Sequence, residues 1–240
     1  MVEKRGYGQF CPVSRAAEIL AERWTPLVVR ELLSGSVRFN DLQRGVPRMS
    51  SSLLSRRLKE LAFAGIIERR PAEKGRGWEY HLTEAGKELF PIVEGMGLWA
   101  QRWLRSDLVA DENLDPDLLM WAIRSSITAE GMPEDRRFTV RFEFPGVPSN
   151  RRRYWIVFDR GEADLCAKDP GFEVDLYLSA KLRALVEVWL GHVSLDRALR
   201  AGDIDLEGSR QDLGRFRHWL ARSLFAEAGR QPPGTKAAGS

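Results

Sequence analysis

The chain of 240 residues is poor in metal-site and disulfide residues, with two cysteines, Cys11 and Cys166, and three histidines, His81, His192 and His218. Two distant cysteines make no disulfide framework, and no Cys/His cluster has metal-ligand spacing, which excludes a structural zinc site. No apolar run reaches the roughly 18 residues of a membrane span. The opening M-V-E-K-R-G-Y-G lacks the apolar stretch of a secretory signal, so a cytoplasmic protein with no membrane partner is expected. Catalytic signatures are missing too. There is no G-x-S-x-G elbow and no Walker-type glycine loop, and G-R-G-W-E-Y lacks the spacing of a dinucleotide fingerprint. The histidines have no recognisable nucleophile or metal partner, so neither a cofactor nor an enzymatic role is expected.

What is present is the composition of a soluble globular protein, 43% hydrophobic and 30% charged. The net charge of +3 is unevenly spread: residues 1–105 hold 18 Lys+Arg against 12 Asp+Glu, residues 106–240 hold 19 against 22. The first half is basic, which suits an anionic partner or a merely solvated surface. The segment S-D-L-V-A-D-E-N-L-D-P-D has five acidic residues and no basic one. It divides the chain into a domain of residues 1–105, a linker of 106–115, a second domain of 116–228 and a disordered tail of 229–240. Asp115 caps a helix that starts at Pro116.

In the first domain V-S-R-A-A-E-I-L-A-E-R is a short amphipathic helix. A second follows in W-T-P-L-V-V-R-E-L-L, capped by Thr25 and closed by Gly35, and F-N-D-L-Q-R-G-V-P gives one or two turns more. The stretch R-M-S-S-S-L-L-S-R-R-L-K-E-L resembles a linker in composition but not in period. Leu54, Leu58 and Leu61 share one face of a helix capped by Ser50, while Ser52, Ser55, Arg56 and Lys59 gather on the other. Ile66 to Arg70 and Trp78 to Leu82 are strands of a hairpin with a basic, glycine-containing tip.

Helix, turn, small-and-basic helix, basic hairpin is the order of a winged helix-turn-helix, in which the second helix lies in the major groove. Small serines let a helix approach bases and phosphates, Arg56 can reach guanine bidentately, and Lys59, Lys74 and Arg76 can neutralise phosphates. The DNA-binding set is therefore Arg48, Ser50, Ser51, Ser52, Ser55, Arg56, Lys59, Lys74 and Arg76. A solvated face is the alternative for this helix taken alone.

From Cys11 to about Leu104 the chain resembles the HxlR-type winged helix-turn-helix regulators. The likeness rests on C-P-V-S-R-A-A-E-I-L-A-E-R-W-T-P-L-V-V-R-E-L-L, R-F-N-D-L, S-S-S-L-L-S-R-R-L-K-E-L, G-I-I-E-R-R and Y-H-L-T-E-A-G. It implies a bacterial transcription regulator that binds double-stranded operator DNA as a homodimer. The helix from Thr83, bent at Pro91, carries Leu89, Ile92, Val93, Met96, Trp99 and Trp103 on one stripe. The resemblance makes this helix and the N-terminal one the dimer contact; packing on its own domain is the alternative. Some regulators of this type sense oxidants through a cysteine near Cys11, which is a redox-sensing candidate or a packed thiol. Replacing Cys11 by serine abolishes any oxidant response under the first reading and leaves it unchanged under the second.

The second domain begins with the helix P-D-L-L-M-W-A-I-R-S-S-I-T. Four runs of strand character follow: R-F-T-V-R-F-E-F, Y-W-I-V-F-D-R-G, E-A-D-L-C-A-K-D and F-E-V-D-L-Y-L-S. An antiparallel sheet with helices on one face is expected, making the chain α+β. The run from D-L-Y-L-S-A-K-L to D-I-D-L-E-G-S-R-Q-D-L resembles the end of a sterol-carrier-protein-type domain, with a weaker likeness back to about Leu118. That implies a cavity for a hydrophobic small-molecule effector. Trp121, Phe142, Trp155, Phe158, Tyr177, Leu185 and Trp189 are its candidate lining, with plain core as the alternative. Arg151 to Arg153 are expected in a solvated loop, with attraction of an acidic ligand or DNA as the alternative. A second reading of the whole chain is a lipid or small-molecule carrier, or an enzyme, that uses its N-terminal domain for dimerisation.

Overall fold

The computed structural model describes residues 6–73, 75–127, 136–220 and 222–226, and not the side chain of His218. Lys74 and the tail of 229–240 therefore lie outside the described residues. Two compact units divide at Gly95 and Met96, ahead of the acidic segment that marks the boundary in the sequence.

The N-terminal unit is built from α1 (Pro12–Leu20), α2 (Thr25–Leu33), α3 (Phe39–Gly45), α4 (Ser51–Phe63), β1 (Ile67–Pro71), β2 (Trp78–Leu82) and α5 (Glu84–Lys87). α6 (Phe90–Trp103) spans the division. Apolar positions at helical spacing make one core: Val28, Val29 and Leu32 from α2, Leu42 from α3, and Leu54, Leu58 and Leu61 from α4, closed by Ile66 and Ile67. β1 and β2 pair antiparallel with Ile67 opposite Leu82 and Arg69 opposite Tyr80, and Arg38 adds a bridge to Glu79.

Two local expectations change. Thr25 is the first residue of α2 rather than its cap; Trp24, in left-handed conformation at φ 77, precedes it, and no side chain caps that end. The helix expected from Thr83 is two helices: Thr83 accepts a hydrogen bond from the Gly86 N–H at 3.2 Å, and the chain breaks before α6, where Pro91 sits in the first turn.

The second unit holds α7 (Arg105–Leu108), α8 (Pro116–Ser126), β3 (Phe138–Glu143), β4 (Arg153–Asp159), β5 (Glu162–Cys166), β6 (Leu176–Ala180), α9 (Leu182–Trp189), α10 (Leu195–Arg200), β7 (Ile204–Gly208) and α11 (Arg210–Trp219). Asp115 caps α8, accepting from the N–H groups of Asp117 and Leu118. β3, β4 and β5 form a meander whose second turn places Arg160 and Gly161 at φ 50 and 80, the left-handed pair of a tight hairpin.

The sheet is mixed rather than antiparallel throughout. Its order is β5-β4-β3-β6-β7, and β6 runs parallel to β3, with Val140 opposite Leu176. The connection between Cys166 and Leu176 is too long for a hairpin; it carries the chain past β4 and β3, so that β6 enters on the far side of β3. The residues F-E-V-D expected to open that strand precede it, and Asp175 there accepts the N–H of Thr139 at 2.8 Å. Helices do share one face: α8, α9, α10 and α11 all contribute to the core that includes Phe138, Val140, Phe142, Ile156, Phe158, Leu176 and Leu178.

Arg151 is a clasp, not a solvated loop residue. It pairs with Asp115 and Asp117, and the buried Tyr154 donates its hydroxyl to Asp117 at 2.6 Å. Burial, reinforced by the Asp117 carboxylate, pushes the phenol above its ordinary range, so Tyr154 stays a donor. The cluster ties α8 to β4. Arg152 donates to the Val147 carbonyl and Arg153 pairs with Glu143, so the arginine run is absorbed locally.

Candidate nucleic-acid interface

α4 is placed by its leucines and presented by its cap. Leu54, Leu58 and Leu61 are buried, while the hydroxyl of Ser50 accepts the Leu53 N–H at 3.3 Å and lies 3.2 Å from that of Ser52. The serine cap satisfies one of the orphan donors of the helix start, a contribution of about 1 kcal/mol. Ser51, Ser52, Arg56 and Lys59 are exposed and Ser55 is half-buried. No side chain larger than serine stands in the first turn outside the core, so the backbone there can approach a surface closely.

Arg56 lies 3.9 Å from Glu60, a loose pair with its side chain 67% exposed, and its guanidinium is available to a stronger acceptor. Its neighbour Arg57 behaves in the opposite way. It is buried, its guanidinium bonded to Glu60 at 2.9 Å, to Glu22 at 3.2 Å and to the Arg23 carbonyl at 3.4 Å. That arginine ties α4 to the turn between α1 and α2. The two consecutive arginines thus divide into one that faces solvent and one that positions the helix.

Arg48 and Arg76 are exposed, one in the turn before α4 and one at the hairpin tip, and Lys74 lies outside the described residues. Arg69 and Trp78 of the hairpin, outside the candidate set, are also brought together. The Arg69 guanidinium lies over the indole, 3.9 Å from the ring centroid. The alternation of β2 places Trp78 in line with Tyr80. His81 sits 3.2 Å from the Glu79 carboxylate, which also meets Arg38, and His192 bonds Gln101 at 2.9 Å. Among the described residues no group of three or more His, Cys, Asp or Glu side chains could hold a metal ion. No described helix is long and apolar enough to cross a membrane.

The stripe after the hairpin splits. Leu89 and Val93 pack on the N-terminal core, whereas Ile92, Met96 and Trp99 are exposed. Phe10 and Val13, just before and within α1, are exposed as well, and Cys11 between them is half-buried.

The seven candidate ligand residues do not surround one space. Phe142, Phe158 and Leu185 are buried in the core between sheet and helices, and Trp189 packs against it. Trp155 and Tyr177 both stand opposite Arg141, which places them on the other face of the sheet. Trp121 is buried outside that core, with the Arg124 guanidinium 5.3 Å from its ring. For the four strand residues alternation is the cause, because it sends Phe142 and Phe158 to one side of the sheet and Trp155 and Tyr177 to the other.

A capped small-residue helix after a helical turn, followed by a basic hairpin, defines a winged helix-turn-helix unit. Residues 19–108 match the HxlR-like helix-turn-helix family. The chain is similar to the uncharacterized HTH-type transcriptional regulator YvaP of Bacillus subtilis, with 40% identity over 98 residues, 40% of this chain and 91% of YvaP. It is also similar to the uncharacterized HTH-type transcriptional regulator Rv3095 of Mycobacterium tuberculosis, with 40% identity over 95 residues, 38% of this chain and 58% of Rv3095. HTH-type transcriptional regulator YodB of Bacillus subtilis is 33% identical over 105 residues, 42% of this chain and 94% of YodB. The chain belongs to the HxlR-like helix-turn-helix family, whose match ends at residue 108 and leaves most of the second unit beyond it.

Proposed function

We propose that the chain is a homodimeric transcription regulator that reads double-stranded operator DNA with α4 and answers to a hydrophobic small molecule held by its C-terminal unit. The observation that carries the DNA reading is the exposed row of Ser51, Ser52, Arg56 and Lys59 on a helix whose opposite row is buried. Such a helix has the low, cationic surface that a major groove admits, with Arg56 matched to guanine O6 and N7 and Lys59 to phosphate. Ser50, Ser55, Arg48, Lys74 and Arg76 complete the proposed contact set. Selection from a random duplex library by the whole protein tests the reading: enrichment of one sequence supports it, and a pool that stays random overturns it.

Exposed Ile92, Met96 and Trp99 on α6, with Phe10 and Val13 at α1, support the dimer, since large apolar side chains are costly to leave wet. A twofold dimer requires half-sites about one turn apart, ~10 base pairs. Trp99→Asp is expected to convert a dimer to a monomer in sedimentation velocity at micromolar protein; a monomeric wild type, or a variant that still dimerises, removes α6 from the contact.

The effector reading rests on the resemblance of the run that includes I-D-L-E-G, the residues of β7, to a sterol-carrier-type domain, and on a core to which α8, α9, α10 and α11 all contribute on one face of the sheet. Phe142, Phe158, Leu185 and Trp189 are the candidates that share that face. Native mass spectrometry of protein purified from its host reads a co-bound apolar molecule; a bare chain that adds no mass with fatty acids removes the effector.

A further inference from the structure

We propose that Gln101 is a positioning residue: by clasping the end of α9 it sets the rotation of α6 and presents Met96 and Trp99 to a second copy of the chain. The inference rests on the dimer reading above. Gln101, near the end of α6, is a long polar side chain with 2% of its surface exposed. Both ends of its amide are engaged. The NH2 group donates to the Leu190 carbonyl at 2.5 Å, and the oxygen faces His192 Nε2 at 2.9 Å. Because the amide nitrogen meets a carbonyl, its oxygen is left to accept, and His192 donates to it from Nε2.

Leu190 closes α9, where the last carbonyls of a helix have no partner within it. Gln101 supplies one, and the Ser223 N–H binds the neighbouring Trp189 carbonyl at 2.9 Å. One turn before Gln101, on the same side of α6, Gly97 lies so close to Phe225 that an added methyl group would stand 2.5 Å from the ring. Leu190, His192 and Phe225 belong to the second unit, as does α6 from Met96 onward. They also lie beyond the residues that the family match covers.

With about 100° between successive residues, Gly97 and Gln101 fall on one side of the helix and Ile92, Met96 and Trp99 on the other. The first side is held at two points a turn apart; the second is exposed. Packing against Gly97 is close but has no direction, whereas the two hydrogen bonds of Gln101 tolerate little rotation. α9 also contributes Ala184, Leu185 and Val188 to the core of its unit. A change of packing in that core therefore reaches the exposed stripe through Leu190 and Gln101, and association at the stripe reaches the end of α9 by the same route.

Sedimentation velocity and hydrogen exchange on the whole chain test the link. Gln101→Met keeps the length of the side chain without its hydrogen bonds, and the milder His192→Ala leaves the bond to Leu190. If the fraction of protomers with α6 in the competent rotation falls to about one third, the dimer dissociation constant rises about tenfold, because both protomers must be competent. That rise is expected for Gln101→Met, and about threefold for His192→Ala. Exchange at residues 187–195 is expected to slow in the wild type as its concentration is raised through the dissociation range, and to lose that dependence in Gln101→Met. A merely structural role would lower the melting temperature and move neither reading. Variants that associate as tightly as the wild type, or wild-type exchange at the end of α9 that ignores concentration, overturn the proposal. Should Gln101→Met fail to fold, His192→Ala decides by the same two readings. A wild type that stays monomeric removes the dimer reading, and this inference with it.

Discussion

Phe142→Ala is expected to destabilise the chain by about 3–5 kcal/mol, the cost of an aromatic ring removed from a closed core together with the cavity it leaves. Phe142 has no exposed surface and lies in the central strand β3, between Tyr154 of β4 and Leu178 of β6. Neighbours on both sides of the strand are held by ladders and collapse little into the gap. Tyr177→Ala provides the contrast. Tyr177 stands on the opposite face, 41% exposed, with the Arg141 guanidinium 5.5 Å from its ring, so a loss within about 1 kcal/mol is expected. Urea denaturation followed by circular dichroism measures both. Equal losses would mean that the two faces of the sheet are packed alike.

The second large effect concerns α4. Arg56→Ala is expected to weaken binding to the selected duplex by about 1–3 kcal/mol, roughly 5- to 150-fold, and to relax preference at one base pair of each half-site. Lys59→Ala is expected to weaken binding to every sequence and to lower the salt slope by about 1, because one phosphate contact and its released counterion are lost. Neither residue supports the core, so folding should be unchanged. Fluorescence anisotropy over a range of salt separates the two. If the double variant binds like the wild type, α4 is a solvated face and the carrier reading, with the N-terminal unit as dimerisation module, becomes the better account.

The N-terminal fold was legible because its signals are local. Leu54, Leu58 and Leu61 mark a helix by spacing alone, Ser50 marks its start, and Trp78, Tyr80 and Leu82 mark a strand. What escaped was set by contacts distant in sequence. Arg57 carries the same formal charge as Arg56, and only its meeting with Glu22 shows that one arginine is structural while the other is presented. In the C-terminal unit the strands were visible, but the pairing of β6 with β3 was not, since alternation reports which face is covered and not which strand lies alongside. The same limit scattered the ligand candidates: aromatic residues were grouped by type, and register then divided Phe142 from Trp155. Arg151 seemed loose because its carboxylate partners lie in the cap of α8, far back along the chain.

The central claim is that α4 lies in the major groove with Arg56 on a guanine. Methylation interference on the selected duplex tests it most directly, since a methyl group on guanine N7 occupies the position that the guanidinium needs. The account predicts that methylation at one guanine per half-site excludes wild-type protein and that this interference disappears with Arg56→Ala. Binding indifferent to N7 methylation at every guanine would contradict it.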